Sequence, residues 1–452
     1  MVDPALLSVS IEFFAFPGYL NLSATQKCLS NIQALRGVAP AVRIGGTTQD
    51  RASFDPSLQS AVQYTVDSPL DAPDTLTYGP EFFELANTLK GDVTVGLNRQ
   101  LNNITNTMLA AVEAKKVVSG LLALELGNEP EFYASGSPII PSGTTWSPTE
   151  DGASQKAWFT SIQSSVGDIF QAAVYLQYPT WSTTGLIPLL EGAISYVKTF
   201  SGHSYPQSAC GGASTNLQTL MSHSGIVSYT KQYAKEATSA HSQNKRYFLG
   251  ETNSATCGGG GISNNFGAGL WVMDYLLQGA MNGVERLYFH QGTIGNCAYC
   301  FWGNDTFAPF YGAMFVSEFL GSEGDVDGSG SKLVMLDNGS SSLGAYAMFS
   351  TKTGEVLRVL VYNSAFFSGS GSRSSEVVSL AGLKTSATLR AKRLTAPAST
   401  SLAGQGITIG GSGTFDASCN SVGSQVFESV VVQSGTASVT LKASEAVILY
   451  VN

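Results

Sequence analysis

Charge is scarce in this chain. Only 13% of its 452 residues are Asp, Glu, Lys or Arg, and histidine occurs four times. With a net charge of −9 and no Lys/Arg cluster, nothing is available to neutralise a phosphate backbone, so nucleic acid is not an expected partner. No apolar run reaches the ~18 residues of a transmembrane helix, so no membrane partner is expected either. The nucleophile elbow G-x-S-x-G is missing, which removes serine hydrolases of that type. A G-x-G-x-x-G fingerprint after an early strand is also missing, and with it a dinucleotide cofactor. Cys297-x-x-Cys300 has no second pair and the histidines are scattered, so no metal or other cofactor is expected. Cys28, Cys210, Cys257, Cys297, Cys300 and Cys419 read instead as structural disulfides and buried thiols, with the pairing open.

Apolar residues make up 43% of the chain, enough for a large core under a surface of Ser, Thr, Asn and Gly. Down to about residue 320, β-branched apolar runs alternate with helical patterns. The expected strands are Leu7–Phe14, Ala41–Ile44, Val93–Leu97, Leu121–Leu126, Ala173–Gln177, Tyr196–Phe200, Tyr247–Gly250 and Val284–Phe289. Expected helices are Ala24–Leu35, Pro80–Leu89, Thr105–Val118, Gln155–Gln171, Leu186–Ser195, Ile226–Ala240, Phe266–Met281 and Phe310–Phe319. Eight such alternations are the signature of a parallel α/β barrel, the (β/α)8 TIM barrel. Beyond it the helical period vanishes. Short β-rich runs (Val356–Tyr362, Glu376–Leu380, Ser429–Val432 and Ala446–Val451) stand between Gly/Ser clusters and imply a C-terminal all-β sandwich domain. The expected division is a barrel over 1–320 and a sandwich over 321–452, joined at Gly321–Ser331.

Two glutamates end apolar runs. Glu129 follows Leu124-Glu125-Leu126-Gly127-Asn128, and Glu251 follows Tyr247-Phe248-Leu249-Gly250. In a barrel both would emerge at strand C-termini, where active sites form. A pair of carboxyl groups delivered by distant strands suits glycosidic hydrolysis: one protonates the leaving oxygen and the other attacks or stabilises the sugar carbon. Taken alone, Glu129 also suits a helix N-terminal acid beside Pro130. Glu12 and Asp50, ending the first two strands, and His290 with Gln291 after the eighth, are candidates to hold sugar hydroxyls, with capping and salt-bridge roles equally open. Arg43 is placed to pair with Glu125 or Glu251.

These residues carry a resemblance. Leu126-Gly127-Asn128-Glu129-Pro130-Glu131, Leu249-Gly250-Glu251-Thr252-Asn253-Ser254 and Arg43-Ile44-Gly45-Gly46-Thr47-Thr48-Gln49-Asp50 resemble the retaining glycosidases built on (β/α)8 barrels. More specifically, they resemble glycoside hydrolase family 79, whose β-glucuronidases include fungal and bacterial exo-enzymes and, more distantly, heparanase. The resemblance implies Glu129 as general acid/base and Glu251 as nucleophile, Asn128 on the sugar 2-hydroxyl and Tyr205 donating to Glu251. It also implies that backbone N–H groups of Cys257 and Gly258, in the glycine run Gly258–Gly261, cradle the sugar carboxylate, with Tyr299 adding its hydroxyl. Tyr311 rivals Tyr299, and Cys257 is free to bridge to Cys297 or Cys210.

The expected function is therefore a retaining exo-β-glucuronidase on glucuronic-acid-containing carbohydrate, its requirement at O4 open. The alternatives are an endo-acting enzyme of heparanase type, a retaining hydrolase for a neutral sugar, and a non-catalytic sugar-binding protein. A monomer is expected. Met1-Val2-Asp3-Pro4 carries no secretory leader, yet sequons at Asn21, Asn103, Asn304 and Asn338 suggest a secreted glycoprotein whose leader has been removed.

Overall fold

The computed structural model describes residues 1–322, 331–383 and 388–451. Eight parallel strands close into a barrel: β1 Leu7–Glu12, β2 Val42–Gly45, β3 Val93–Leu97, β4 Leu121–Leu126, β5 Phe170–Tyr175, β6 Val197–Ser204, β7 Arg246–Thr252 and β8 Arg286–Gln291. Each pairs with its neighbours in sequence order, and β8 closes on β1 through Leu7–Ile11 against Leu287–Gln291. Strands β1, β2, β3, β5 and β8 are buried throughout, as a sheet covered on both faces requires.

The helices include α1 Ser23–Arg36, α2 Pro80–Ala86, α3 Ile104–Val117, α4 Pro148–Val166, α5 Thr183–Leu190, α6 His223–Thr230, α7 Gln232–Ser242, α8 Phe266–Met281 and α9 Ala308–Leu320. Three departures from the sequence reading have local causes. Helix α4 starts seven residues before the expected Gln155, with Pro148 at its first position, and Gly167 at φ 86° ends it before Gln171. Gln171 consequently belongs to β5, which starts three residues before the expected Ala173 and ends at Tyr175 instead of Gln177. The helix expected over Ile226–Ala240 is broken at Lys231 into α6 and α7, where the Thr230 hydroxyl bonds back to the Ile226 carbonyl. Between β2 and α2 the chain also builds a small three-stranded sheet, Ala52–Phe54, Leu76–Tyr78 and Val62–Tyr64, which the sequence reading passed over.

The C-terminal part is all β. A sheet runs in the order Ser331–Met335, Leu343–Ser350, Val356–Asn363, Glu445–Tyr450, Thr388–Thr395, Thr408–Ile409, and Ser375–Ala381 pairs with Thr436–Lys442 beside it. Residues 323–330 of the expected junction lie outside the described residues. One continuous core joins the two parts, reaching from Phe310 and Phe315 to Tyr346, Leu360 and Ile448. At this seam His223 is clamped between Asp274 and Asp337, each 2.9 Å away, while Tyr346 and Tyr362 donate to Asp274. A disulfide between Cys28 of α1 and Cys419 ties the same two parts covalently.

Candidate active site

The strand ends deliver an acidic cluster into one cavity of about 930 Å³ at the C-terminal face of the barrel. Glu129, Glu251, Glu12, His290, Tyr205, Tyr299, Cys257 and Gly258 all line it. One carboxylate oxygen of Glu129, one of Glu251 and a ring nitrogen of His203 lie within 4.8 Å of one another. Among carboxylate pairs this is the close spacing, near the ~5–5.5 Å of retaining rather than the ~6.5–9.5 Å of inverting hydrolases.

The two glutamates sit in opposite surroundings. Glu251 Oε2 accepts from Arg43 Nη1 at 2.6 Å, and its Oε1 accepts from the Tyr205 hydroxyl at 2.7 Å. Burial alone would raise its pKa, but the neighbouring His290, Arg43 and the Tyr205 hydroxyl outweigh it and hold Glu251 well below the usual carboxylate range. Among the described residues the Glu129 carboxyl has only the ring of His203 as a hydrogen-bond partner, Nδ1 to Oε1 at 2.8 Å. Burial, with the charge of Glu251 adding to it, pushes Glu129 up to about 8 despite Arg43 and His290. Burial pushes His203 down to about 4, so the imidazole facing Glu129 is neutral. One acid therefore keeps its proton where the other has lost it. With both Glu251 oxygens accepting from Arg43 and Tyr205 and the His203 ring bonded to Glu129, the cluster suits an acid–base pair better than a divalent cation.

The chain is shaped to hold these groups. Arg43 is fully buried and also donates to Glu125, Ser10 and Asn128. Gly46, at φ 125°, leaves room for Glu12, whose Oε2 would stand 2.4 Å from an added Cβ. Glu12 Oε1 accepts from the Thr48 N–H and hydroxyl, and its Oε2 lies 3.2 Å from His290 Nε2. Glu129 itself lies at φ 43°, and Ala173 and Val174 of the adjoining β5 at φ 73° and 66°. A β-branched residue there is strained, and such strain concentrates at working sites.

Two expected contacts fall outside the cavity wall. Asp50 is buried beneath it: one oxygen accepts from the Arg99 and Gln100 N–H groups and the other from the Asn128 N–H and Tyr133 hydroxyl. With both oxygens taken by the protein, Asp50 shapes the turn before Glu129 instead of meeting a ligand. Asn128 is also set back, its Oδ1 accepting from Arg43 Nη2 at 2.7 Å. Gln291 accepts from the Phe301 N–H, and Tyr311 lies at the seam, where its hydroxyl accepts from the Phe415 N–H. The reading also passed over an aromatic wall of Phe132, Tyr175, Tyr178 and Trp181, whose only trace in sequence is the cluster Tyr175 to Trp181. Cys257 bridges to Cys210 and Cys297 to Cys300, so the loop that carries Tyr299 and the glycine loop are each stapled.

A parallel eight-stranded barrel presenting two such carboxyl groups in one cavity is the frame of a glycoside hydrolase, and relatives agree. The model of the glycosyl hydrolase family 79 C-terminal β domain matches residues 345–448. A β-glucuronidase of Aspergillus niger is 31% identical over 395 residues, 79% of this chain and 71% of that protein. One from Neurospora crassa is 30% identical over 71% of this chain and 64% of its own length. Among solved structures, a 4-O-α-L-rhamnosyl-β-D-glucuronidase from Fusarium oxysporum 12S superposes with a TM-score of 0.94 at 45% identity, covering 99% of this chain and 96% of that one. An arabinofuranosidase of Xanthomonas axonopodis pv. citri, at 13% identity and a TM-score of 0.59, shares the fold alone. The chain belongs to glycoside hydrolase family 79.

Proposed function

We propose that this protein is a secreted, retaining exo-β-glucuronidase that removes terminal β-linked glucuronic acid, including residues carrying a rhamnosyl group at O4. The carrying observation is the Glu129–Glu251 pair, within 4.8 Å, in surroundings that raise the pKa of the first and lower that of the second. The Glu251 carboxylate attacks the anomeric carbon while Glu129 gives its proton to the departing oxygen, leaving a glycosyl ester on Glu251. Glu129, now a carboxylate, takes a proton from water as that water attacks the same carbon and frees Glu251. Two inversions retain the anomeric configuration.

Glucuronate selectivity rests on a nest. Cys257 and Gly258 line the cavity in succession at φ 55° and 76°, turned by the Gly259 N–H bonding back to the Thr256 carbonyl at 3.2 Å, and the Tyr299 ring stands 6.2 Å from that of Tyr205. Exo action is supported by the Leu70–Pro73 loop in the connection after β2, tied to the loop after β8 by Asn296 Nδ2 to the Leu70 carbonyl and to Arg51 through the Pro73 carbonyl. Among the described residues that line the cavity Arg51 is the only Lys or Arg, which disfavours an endo enzyme on sulfated chains. A volume of 930 Å³ accommodates more than one sugar, in keeping with an O4 substituent like that named for the Fusarium enzyme. Three disulfides and solvent-exposed Asn21, Asn103, Asn304 and Asn338 support export. Initial rates on aryl β-glucuronide, aryl β-glucoside and a 4-O-rhamnosyl glucuronide test the reading. A glucoside preference would sink the nest, and rejection of the rhamnosyl substrate would remove the O4 assignment.

A further inference from the structure

Glu131 is a second acid on the turn that carries Glu129, and the hydrolytic mechanism does not use it. The turn Pro130–Phe132 is a single 3-10 step after Glu129. Glu131 reaches from it to the backbone just beyond β5, where its Oε1 accepts the N–H of Leu176 and, at 2.9 Å, that of Gln177. Its Oε2 is buried with no hydrogen-bond partner among the described residues. Close by, the Glu129 N–H donates to the carbonyl of strained Val174 at 3.2 Å. The two elements are thus joined at two points, one through the backbone of the acid and one through Glu131.

We infer that Glu131 is a positioning residue that works as a neutral carboxylic acid, pinning the Glu129 turn to the end of β5 so that Glu129 reaches the leaving oxygen. Asymmetry carries the argument. A buried carboxylate needs donors on both oxygens, whereas a protonated carboxyl can offer its carbonyl oxygen to both N–H groups and keep the proton on the other. The charged and titratable groups facing Glu131 are Glu129 on its own turn and the Tyr175 phenol of β5. Burial first, then the charge of Glu129, pushes Glu131 up to about 8. Glu131 therefore stays uncharged while Glu129 passes through its carboxylate form in each turnover. Leu176 and Tyr175 line the cavity, so the same clamp also fixes one wall of the leaving-group side.

The inference rests on Glu129 being the acid/base, and the experiment separates the two. Glu131→Gln, Glu131→Ala and Glu129→Ala are compared on β-glucuronides with an acidic aryl and with an alkyl leaving group, after thermal unfolding has checked each fold. Glutamine reproduces the neutral acid and should stay within about threefold of wild type on both substrates, whereas alanine should lose roughly 10–100-fold on the alkyl substrate and far less on the aryl one. Glutamine falling as far as alanine, or alanine affecting both leaving groups equally or neither, would overturn it. If Glu129→Ala shows no leaving-group dependence, the acid/base assignment fails and this inference with it. Dependence in Glu129→Ala but none in Glu131→Ala overturns this inference alone.

Discussion

Two clusters of buried charge, one at the barrel mouth and one at the seam with the β domain, are built from similar groups and finished differently. At the seam His223 lies between Asp274 and Asp337. Asp274 takes the hydroxyls of Tyr346 and Tyr362, and Asp337 the N–H groups of Gly339 and Ala345. At the mouth Arg43 bridges Glu125 and Glu251. There, His203 Nε2 and Glu131 Oε2 are left without partners among the described residues. A network that closes on itself fixes geometry, while one with unmet valences and a strained acid at φ 43° holds free energy in reserve for a ligand or a proton.

That contrast can be broken by substitution. Glu251→Gln should lower kcat on an aryl β-glucuronide by on the order of 10⁴-fold or more, with the unfolding midpoint moved by only a few degrees. A variant that still turns over would remove Glu251 from the mechanism. Glu129→Ala should cost about 10²–10⁴-fold on an alkyl glucuronide but little on an aryl one with an acidic leaving group. His223→Ala should cost stability and spare catalysis. Urea titration should show ~3–5 kcal/mol of lost stability from the uncompensated carboxylates, while kcat/KM per folded molecule stays unchanged. A fall in kcat/KM would mean that the seam reaches the site. Tyr299→Phe is the smallest case, about tenfold in kcat/KM for the glucuronide and nothing for the glucoside.

The two clusters should also answer pH differently. Catalysis needs Glu129 protonated and Glu251 ionised, so kcat/KM should decline as pH rises through about 8 and hold well into the acid range. His223 is buried, which lowers its pKa, but its bonds to Asp274 and Asp337 prevail and lift it to about 10. Its folded pKa lies above the unfolded value of ~6.5, so its stabilisation is complete below ~6.5 and is lost as pH rises from there through about 10. Unfolding free energies at several pH values, set beside the rate profile, would show whether the two decline separately.

The barrel was legible because its signal is local: each strand is a short apolar run, and Glu129 and Glu251 each stand at the tip of one. Cys257, Gly258, Tyr205 and Tyr299 came through resemblance to sequences of the same family, since nothing in their own spacing converges them. Asp50 stayed open between a sugar contact and a capping role because a strand-end acid reads alike whether it faces a cavity or caps a neighbouring turn. The four N–H and O–H donors that occupy it come from Arg99 and Gln100 after β3 and from Asn128 and Tyr133 after β4, two loops folded together. Helix α4 was displaced because Pro148 and Gly167 outrank the apolar period that suggested Gln155–Gln171. The seam was invisible, because His223, Asp274 and Asp337 lie 51 and 114 positions apart from His223 and carry no motif.

The Cys28–Cys419 bond spans 391 positions. A protease that cuts the backbone anywhere between those two cysteines produces pieces that still migrate as one species until a thiol reagent is added. Nicked molecules of this enzyme would therefore pass for whole ones on a non-reducing gel, and would stay associated through both their core and their sulfur link.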